Sequence, residues 1–189
     1  MPTHPQHDLA RRQFGERFGT IGAQRHGLRL EITTFRAEAY DQVSRNPVVR
    51  YGTSLVDDLQ RRDFTINAMA VSLPEHRFTD PYGGLADLTA RVIRTPGTPQ
   101  ESFGDDPLRM LRAARFAATL GFDVAPEVVA AMTAMSDRLE IVSAERVRDE
   151  LVKLLLAPDP RAGLEVMVDT GLADHVLPEL PALRLEVDE

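Results

Sequence analysis

The spacing of apolar residues changes at one point in this chain, the segment Pro96-Gly97-Thr98-Pro99. Before this segment, apolar residues alternate with polar ones or form short runs, as in strands. After it, they recur three or four residues apart, as in helices. A chain whose strands precede its helices is typical of an α+β protein. We therefore predict two domains, a small mixed part over residues 1–99 and a helical part over residues 100–189.

The pattern places several elements in the first part. Leu28, Leu30 and Ile32 alternate with polar residues, which predicts a strand with Glu31 on the face opposite the apolar side chains. Residues 37–53 are polar and predict a mobile loop. The remaining predictions are a short helix that Asp57 begins, a buried strand at residues 68–73, a turn within residues 78–85 and a last strand at Val92-Ile93.

Helices are predicted after Pro99. Pro107 suits a first helical turn behind two acidic residues, and Gly121 ends that helix. Ser143 can cap a later helix, but Arg146 stands where a capping box has an acidic residue. The other predicted helices cover about residues 126–139, 144–156 and 160–170.

Composition excludes several classes of protein. The 189 residues include no cysteine, which excludes a disulfide scaffold, a thiolate nucleophile and cysteine-ligated metals. The five histidines lack metal-ligand spacing, and no P-loop or Gly-x-Ser-x-Gly elbow is present. No apolar run approaches the ~20 residues of a membrane span, and the N-terminus lacks a signal peptide's apolar core. We therefore expect a cytoplasmic protein that has no cysteine- or histidine-ligated metal site and contacts no membrane.

The charge distribution leaves a nucleic-acid partner possible. The formal net charge is −7, but seven of the 29 acidic residues lie within residues 165–189. The rest of the chain is nearly neutral, so local basic patches can act within a Debye length of ~8–10 Å.

The first polar cluster occupies residues 61–68. It contains Arg61, Arg62, Asp63, Thr65 and Asn67. Planar guanidinium donors match phosphate oxygens, and the carboxylate or the amide can bind a sugar hydroxyl. A surface ion pair beside a turn-forming asparagine is the competing interpretation, because exposed ion pairs are common.

The second polar cluster runs from residue 105 to residue 115. A spacing of three residues puts Asp106 and Arg109 on one helical face, an acceptor beside a donor. Cytosine and adenine both present an amino donor beside a ring-nitrogen acceptor, so such a pair accepts C and A. It mismatches U and G, which costs ~1–3 kcal/mol per unpaired group. A helix cap with an intrahelical salt bridge is the competing interpretation.

Longer motifs around these clusters carry a family resemblance. They are Arg61-Arg62-Asp63-Phe64-Thr65-Ile66-Asn67-Ala68, Asp80-Pro81-Tyr82-Gly83-Gly84 and Asp105-Asp106-Pro107-Leu108-Arg109-Met110-Leu111-Arg112-Ala113-Ala114-Arg115-Phe116. Together they resemble bacterial class II CCA-adding tRNA nucleotidyltransferases and the related poly(A) polymerases. The resemblance implies a partial polymerase-β-like nucleotidyltransferase head, followed by a helical neck and the start of a body. It also implies template-independent addition of C and A to tRNA 3′ ends from CTP and ATP.

The resemblance also implies roles for single residues. Arg62 and Asp63 would hold triphosphate and ribose, with Asn67 supporting them, while Asp106 and Arg109 would replace a nucleic-acid template. The resemblance further implies that Arg112 and Arg115 face phosphates or tRNA. It implies that Glu31 is a catalytic carboxylate near the metal pair, and that residues 37–53 take part in switching from C to A addition.

One family feature is absent from this sequence. Family members carry a Gly-Gly-x-Val-Arg-Asp turn and an Asp-x-Asp pair that binds two Mg²⁺ ions; here the only acids at that spacing are Glu186 and Asp188. Glu31 alone cannot hold two hard cations. We expect a chain truncated at both ends that binds nucleotide without transferring it. A poly(A) polymerase, and a non-catalytic remnant that binds RNA or nucleotide, are the alternatives.

Overall fold

The structure, a computed structural model, describes residues 10–12, 20–25, 28–39, 48–51 and 54–183. Strands and helices are both present, and the helices concentrate in the later part, which confirms the α+β prediction. The chain divides into two compact units, Met1–Asp58 and Leu59–Glu189. The domain boundary predicted after residue 99 lies inside the second unit, and it stays a prediction.

Antiparallel strands make up most of the described part of the first unit. β1 (Ala10–Arg12), β2 (Thr20–Arg25) and β3 (Leu28–Thr33) form a sheet in that order, with Thr20 opposite Thr33. The strand predicted from the alternating leucines is therefore confirmed as β3. Its apolar side chains are exposed, however, because no described residue of this unit covers that face.

The prediction of a loop over residues 37–53 is wrong for residues 37–39 and 48–51, which form strands. β4 (Arg36–Ala39) pairs antiparallel with β5 (Val48–Tyr51), and Arg36 lies opposite Tyr51. Valine and tyrosine favour extended backbone, and this preference outweighs the polar character of the surrounding segment. Residues 40–47 and 52–53 lie outside the described residues.

Helix α1 (Leu55–Gln60) begins two residues before the predicted start. Ser54, not Asp57, is its cap, since the Ser54 hydroxyl accepts a hydrogen bond from the Asp57 N–H at 3.3 Å. The buried strand predicted at residues 68–73 is also wrong. Only β6 (Ala70–Val71) forms, paired with β7 (Phe78–Thr79), and the side chains of Val71 and Leu73 are exposed.

Helices dominate the remainder of the second unit, and short elements separate them. Gly121 has a φ of +63° and ends α4, as predicted. Ser143 precedes α6, but its side chain makes no capping hydrogen bond. The elements are α2 (Gly84–Ala90), β8 (Val92–Ile93), α3 (Pro99–Asp105), α4 (Leu108–Leu120), β9 (Asp123–Val124), α5 (Pro126–Ala134), α6 (Ala144–Leu155), α7 (Pro160–Asp169), α8 (Leu172–Val176) and 3₁₀ turns at Thr65–Asn67, Ser136–Ile141 and Pro181–Leu183.

Helix α4 is the centre of the core and packs against both α6 and α7. Its buried residues include four alanines, whose small side chains allow neighbouring backbones to come close. A Cβ atom added to Gly163 of α7 would lie 2.6 Å from the Ala114 carbonyl oxygen. Larger side chains, including Met110, Leu154 and Met167, fill the surrounding space, and burial of each contributes roughly 1.5–3 kcal/mol.

A buried ion pair joins α4 to α6. Glu150 is 4% exposed and accepts hydrogen bonds from Arg115 Nε at 2.6 Å and Lys153 Nζ at 2.8 Å. The Arg115 guanidinium also lies 4.2 Å from the centre of the Phe116 ring. Burial raises the pKa of Glu150, but the hydrogen bonds from Lys153 and Arg115 outweigh it, so the pKa lies below its ordinary value of 4.5.

This ion pair makes stability depend on pH. Because folding lowers the pKa of Glu150, its ionised form stabilises the fold above pH 4.5, and this contribution disappears as the pH falls through the lowered pKa. Glu150→Gln should lower the free energy of unfolding at pH 7 by about 3 kcal/mol, since one partner of a buried pair is lost. Urea denaturation at pH 7 and at pH 3 should show the difference from the unmodified chain shrinking in acid.

Glu165→Gln is the matched control, because Glu165 pairs with Arg161 at an exposed position of α7. Exposed pairs contribute about 0–1 kcal/mol, so this variant should unfold almost like the unmodified chain. Equal stability of the two variants at pH 7 would contradict a stabilising role for the buried pair.

Candidate functional site

A cavity of about 380 Å³ in the second unit brings the two polar clusters together. Four guanidiniums, two carboxylates and one amide line it, so its net charge is positive. Six of the eight predicted site residues lie in this lining, although the two clusters are about forty residues apart in sequence. The lining residues are Arg61, Arg62, Asp63, Asn67, Asp106, Arg109 and Arg112.

Asp63 joins the clusters through its carboxylate. Oδ1 accepts hydrogen bonds from the Phe64 N–H at 2.9 Å and from Asn67 Nδ2 at 3.0 Å. Oδ2 accepts from Arg112 Nε at 2.9 Å and from Nη2 at 2.5 Å. Four donors therefore occupy this nearly buried carboxylate, and two of them, both from the Arg112 guanidinium, converge on Oδ2.

The turn behind Asp63 is held in place by packing and by side chains. Phe64 is fully buried and meets the Phe116 ring edge to face, with centroids 5.5 Å apart. The Thr65 hydroxyl donates to Asp87 of α2 at 2.7 Å. Position 84 must be glycine here, because a Cβ atom would lie 2.2 Å from the Thr65 carbonyl oxygen. These contacts fix the 3₁₀ turn that presents Asn67 to the cavity.

Asp106 lies between α3 and α4, in extended backbone with φ −146° and ψ 99°. The expectation that it shares a helix with Arg109 is therefore wrong; only the Asp106 carbonyl joins the turn, accepting from the Arg109 N–H at 3.0 Å. Oδ1 accepts from the Leu108 N–H at 3.2 Å, so the side chain does cap α4. Oδ2 pairs with Arg146 of α6 at 2.8 Å, where the competing interpretation has an intrahelical pair with Arg109.

Arg109 is held by neutral oxygens. Nη1 donates to the Ser102 hydroxyl at 2.9 Å and to the Ser102 carbonyl at 3.3 Å. Nη2 donates to the Arg61 carbonyl at 2.5 Å. An arginine anchored by three acceptors from two segments loses little further freedom when it meets a ligand, so its donors are preorganised.

Two predicted site residues lie outside this lining. Arg115 is paired with Glu150 between α4 and α6 and is not among the residues that line the cavity. Glu31 is an exposed residue of β3 in the first unit. The roles expected of these two residues stay predictions.

The cavity does not suit a divalent cation. Mg²⁺ prefers oxygen ligands in an octahedral arrangement, but arginines already hold the carboxylates of Asp63 and Asp106. Among the described residues, no group of three or more His, Cys, Asp or Glu side chains is placed to hold a metal ion. The described helices also include none long and apolar enough to cross a membrane.

Sequence reasoning missed Ser102 as a partner of Arg109 and Arg146 as a partner of Asp106. Ser102 gives no local signal, because it is an ordinary residue of α3 until the fold brings Arg109 beside it. Arg146 does give one. A positive charge in the first turn of a helix opposes the helix dipole, and here it replaces the acidic residue of a capping box.

Comparisons with known families match most of the chain. The family described as "Poly A polymerase head domain" matches residues 3–94, and that described as "Probable RNA and SrmB- binding site of polymerase A" matches residues 121–183. A CCA-adding enzyme of Levilactobacillus brevis is 45% identical over 169 residues, which are 85% of this chain and 42% of the relative. One from Streptococcus gordonii is 42% identical over 176 residues, or 93% and 44% of the two chains.

Solved structures agree with these relatives. The Bacillus stearothermophilus CCA-adding enzyme in complex with CTP has a TM-score of 0.81 and 34% identity, covering 92% of this chain and 42% of its own. A tRNA nucleotidyltransferase complexed with a primer tRNA and an incoming ATP analogue has a TM-score of 0.73 and 31% identity, covering 90% and 48%. This chain spans less than half the length of these relatives. The matches show that it belongs to the family of CCA-adding tRNA nucleotidyltransferases and poly(A) polymerases.

Proposed function

We propose that this chain carries the nucleotide-selecting site of an enzyme that adds C and A to tRNA 3′ ends from CTP and ATP. The observation that carries the proposal is the cavity whose lining includes Asp106 and Arg109 together with three further arginines. Relatives named CCA-adding enzymes, and neighbours solved with CTP and with primer tRNA, support the substrates.

Base selection follows from the two reading groups. An ionised Asp106 only accepts hydrogen bonds and Arg109 only donates them. The amino group of cytosine or adenine can donate to Asp106, and the ring nitrogen can accept from Arg109. Uracil and guanine instead place an acceptor against Asp106 and a donor against Arg109. Each unpaired group costs ~1–3 kcal/mol, which corresponds to roughly fivefold to 150-fold in affinity.

The remaining lining residues suit the triphosphate. Arg62 and Arg112 offer planar donors to phosphate oxygens, and Asp63 holds Arg112 through two hydrogen bonds. The contacts of Asp63 support a positioning role at least as well as the predicted contact with ribose. Asn67 supports the same turn. A contact between Arg115 and phosphates or tRNA is expected from the family resemblance alone.

Transfer needs more than this cavity provides. The family resemblance implies a pair of Mg²⁺ ions, held by several carboxylates, which would activate the primer 3′-hydroxyl and neutralise phosphate charge. Glu31 is the residue of this chain that the resemblance places near those ions, and the sequence has no Asp-x-Asp pair after a Gly-Gly turn. We therefore propose that this polypeptide by itself, acting in the cytoplasm, selects nucleotides without transferring them.

A poly(A) polymerase is the second candidate. The match of residues 3–94 to the poly(A) polymerase head favours it, and the same cavity would accept adenine. Preference between CTP and ATP with a tRNA primer separates the two. The third possibility is a remnant that binds RNA without selecting nucleotides. Such a remnant would bind CTP, ATP, UTP and GTP with equal affinity.

The purified chain should bind CTP and ATP at least fivefold more tightly than UTP and GTP, because only C and A satisfy both reading groups. Asp106→Asn should reduce this preference strongly, because the amide NH₂ group is a donor and replaces one of the two acceptor oxygens of the carboxylate. Calorimetric titration with each nucleotide measures the effect. Asp149→Asn, an exposed site on α6, is the control and should keep the preference. Equal affinity of the unmodified chain for all four nucleotides would contradict the proposal.

The same chain, incubated with Mg²⁺, CTP, ATP and a tRNA lacking its CCA end, should incorporate no nucleotide above a protein-free blank. The expected reason is that one carboxylate cannot hold two metal ions. A full-length CCA-adding relative serves as the positive control for the primer. Radiolabelled CMP or AMP incorporation well above the blank would show that the polypeptide is catalytically competent.

A further inference from the structure

We infer that Arg146 is a positioning residue that sets the nucleotide selectivity of Asp106. This inference rests on the proposed function, since it concerns the same cavity. The structure shows Arg146 Nη2 donating to Asp106 Oδ2 at 2.8 Å across forty residues of sequence. Arg146 is not among the residues that line the cavity, so it holds the carboxylate from outside the space that a nucleotide would occupy.

The position of Arg146 is unfavourable for its own helix. It lies in the first turn of α6, where the helix dipole favours acidic side chains, and Ser143 makes no capping hydrogen bond there. A basic residue at this point destabilises the helix slightly unless it has another partner. Asp106 is that partner, so the local cost is offset by a contact at the cavity.

Arg146 restricts how the carboxylate can turn. The final side-chain torsion of an aspartate is broad, so one hydrogen bond leaves the plane of the carboxylate poorly defined. Asp106 has one donor on each oxygen, the Leu108 N–H on Oδ1 and Arg146 on Oδ2. Each carboxylate oxygen accepts more than one hydrogen bond, so acceptor capacity remains for a base amino group.

Arg146 also keeps the two reading groups apart. Asp106 and Arg109 carry opposite charges in one cavity, and pairing with each other would consume the acceptor and the donor that recognise a base. Separate partners prevent this: Arg146 holds Asp106, while Ser102 and the Arg61 carbonyl hold Arg109. Without Arg146, the carboxylate is free to turn toward the arginines of the lining.

The test measures CTP and UTP affinity for the unmodified chain, Arg146→Ala, Arg146→Lys and Arg148→Ala. Arg146→Ala should lower the ratio of CTP to UTP affinity about tenfold, as expected when a charge-assisted hydrogen bond is lost. Arg146→Lys retains a donor and should recover part of the ratio, which a general folding defect would not do. Arg148→Ala removes a neighbouring, exposed arginine paired with Asp149 and should leave the ratio unchanged.

The outcomes separate the two proposals. A selective unmodified chain with Arg146→Ala as selective as Arg148→Ala would overturn the positioning role and leave the proposed function standing. An unmodified chain that binds CTP no better than UTP would overturn the proposed function, and this inference with it. Melting temperatures of all four proteins check that Arg146→Ala is folded, as its half-exposed position leads us to expect.

Discussion

The close packing of α4 against α6 and α7 is the constraint on which the candidate site depends. Buried alanines on α4 and Gly163 on α7 bring the helices so near that an added methyl group would clash with the Ala114 carbonyl. A helix fixed in this way cannot rotate about its axis. Arg109 and Arg112, one helical step apart, therefore keep their place in the cavity wall while the apolar residues of α4 fill the core.

Four charged residues of the site, Asp63, Arg112, Asp106 and Arg109, are held by separate sets of partners. Asp63 holds Arg112, Arg146 holds Asp106, and neutral oxygens hold Arg109. Glu150 and Arg115 form a further pair that joins α4 to α6. Because these partners are separate, Asp106 and Arg109 do not pair with each other within the cavity. The two carboxylates and four guanidiniums of the lining leave a net positive charge, which suits a triphosphate.

Local signals predicted local structure well. Pro107 and Gly121 marked the two ends of α4, and alternation marked β3, because turn chemistry and side-chain period act over a few residues. The sequence also indicated which residues gather at the cavity, through motifs rather than spacing. It could not indicate that Asp106 pairs with Arg146, since that contact depends on how α6 packs. The antiparallel pairing of β4 with β5 was missed because Val48 and Val49 lie in a segment that is otherwise mainly polar.

The amino group of the base is the feature that Asp106 is proposed to recognise, so its removal is a direct test of base selection. CTP should be compared with its analogue that lacks only the 4-amino group, in the unmodified chain and in Asp106→Ala. We predict that the unmodified chain binds the analogue at least about fivefold more weakly than CTP, and that Asp106→Ala binds the two nucleotides with equal affinity. Equal affinity of the unmodified chain for both nucleotides would contradict base selection by Asp106.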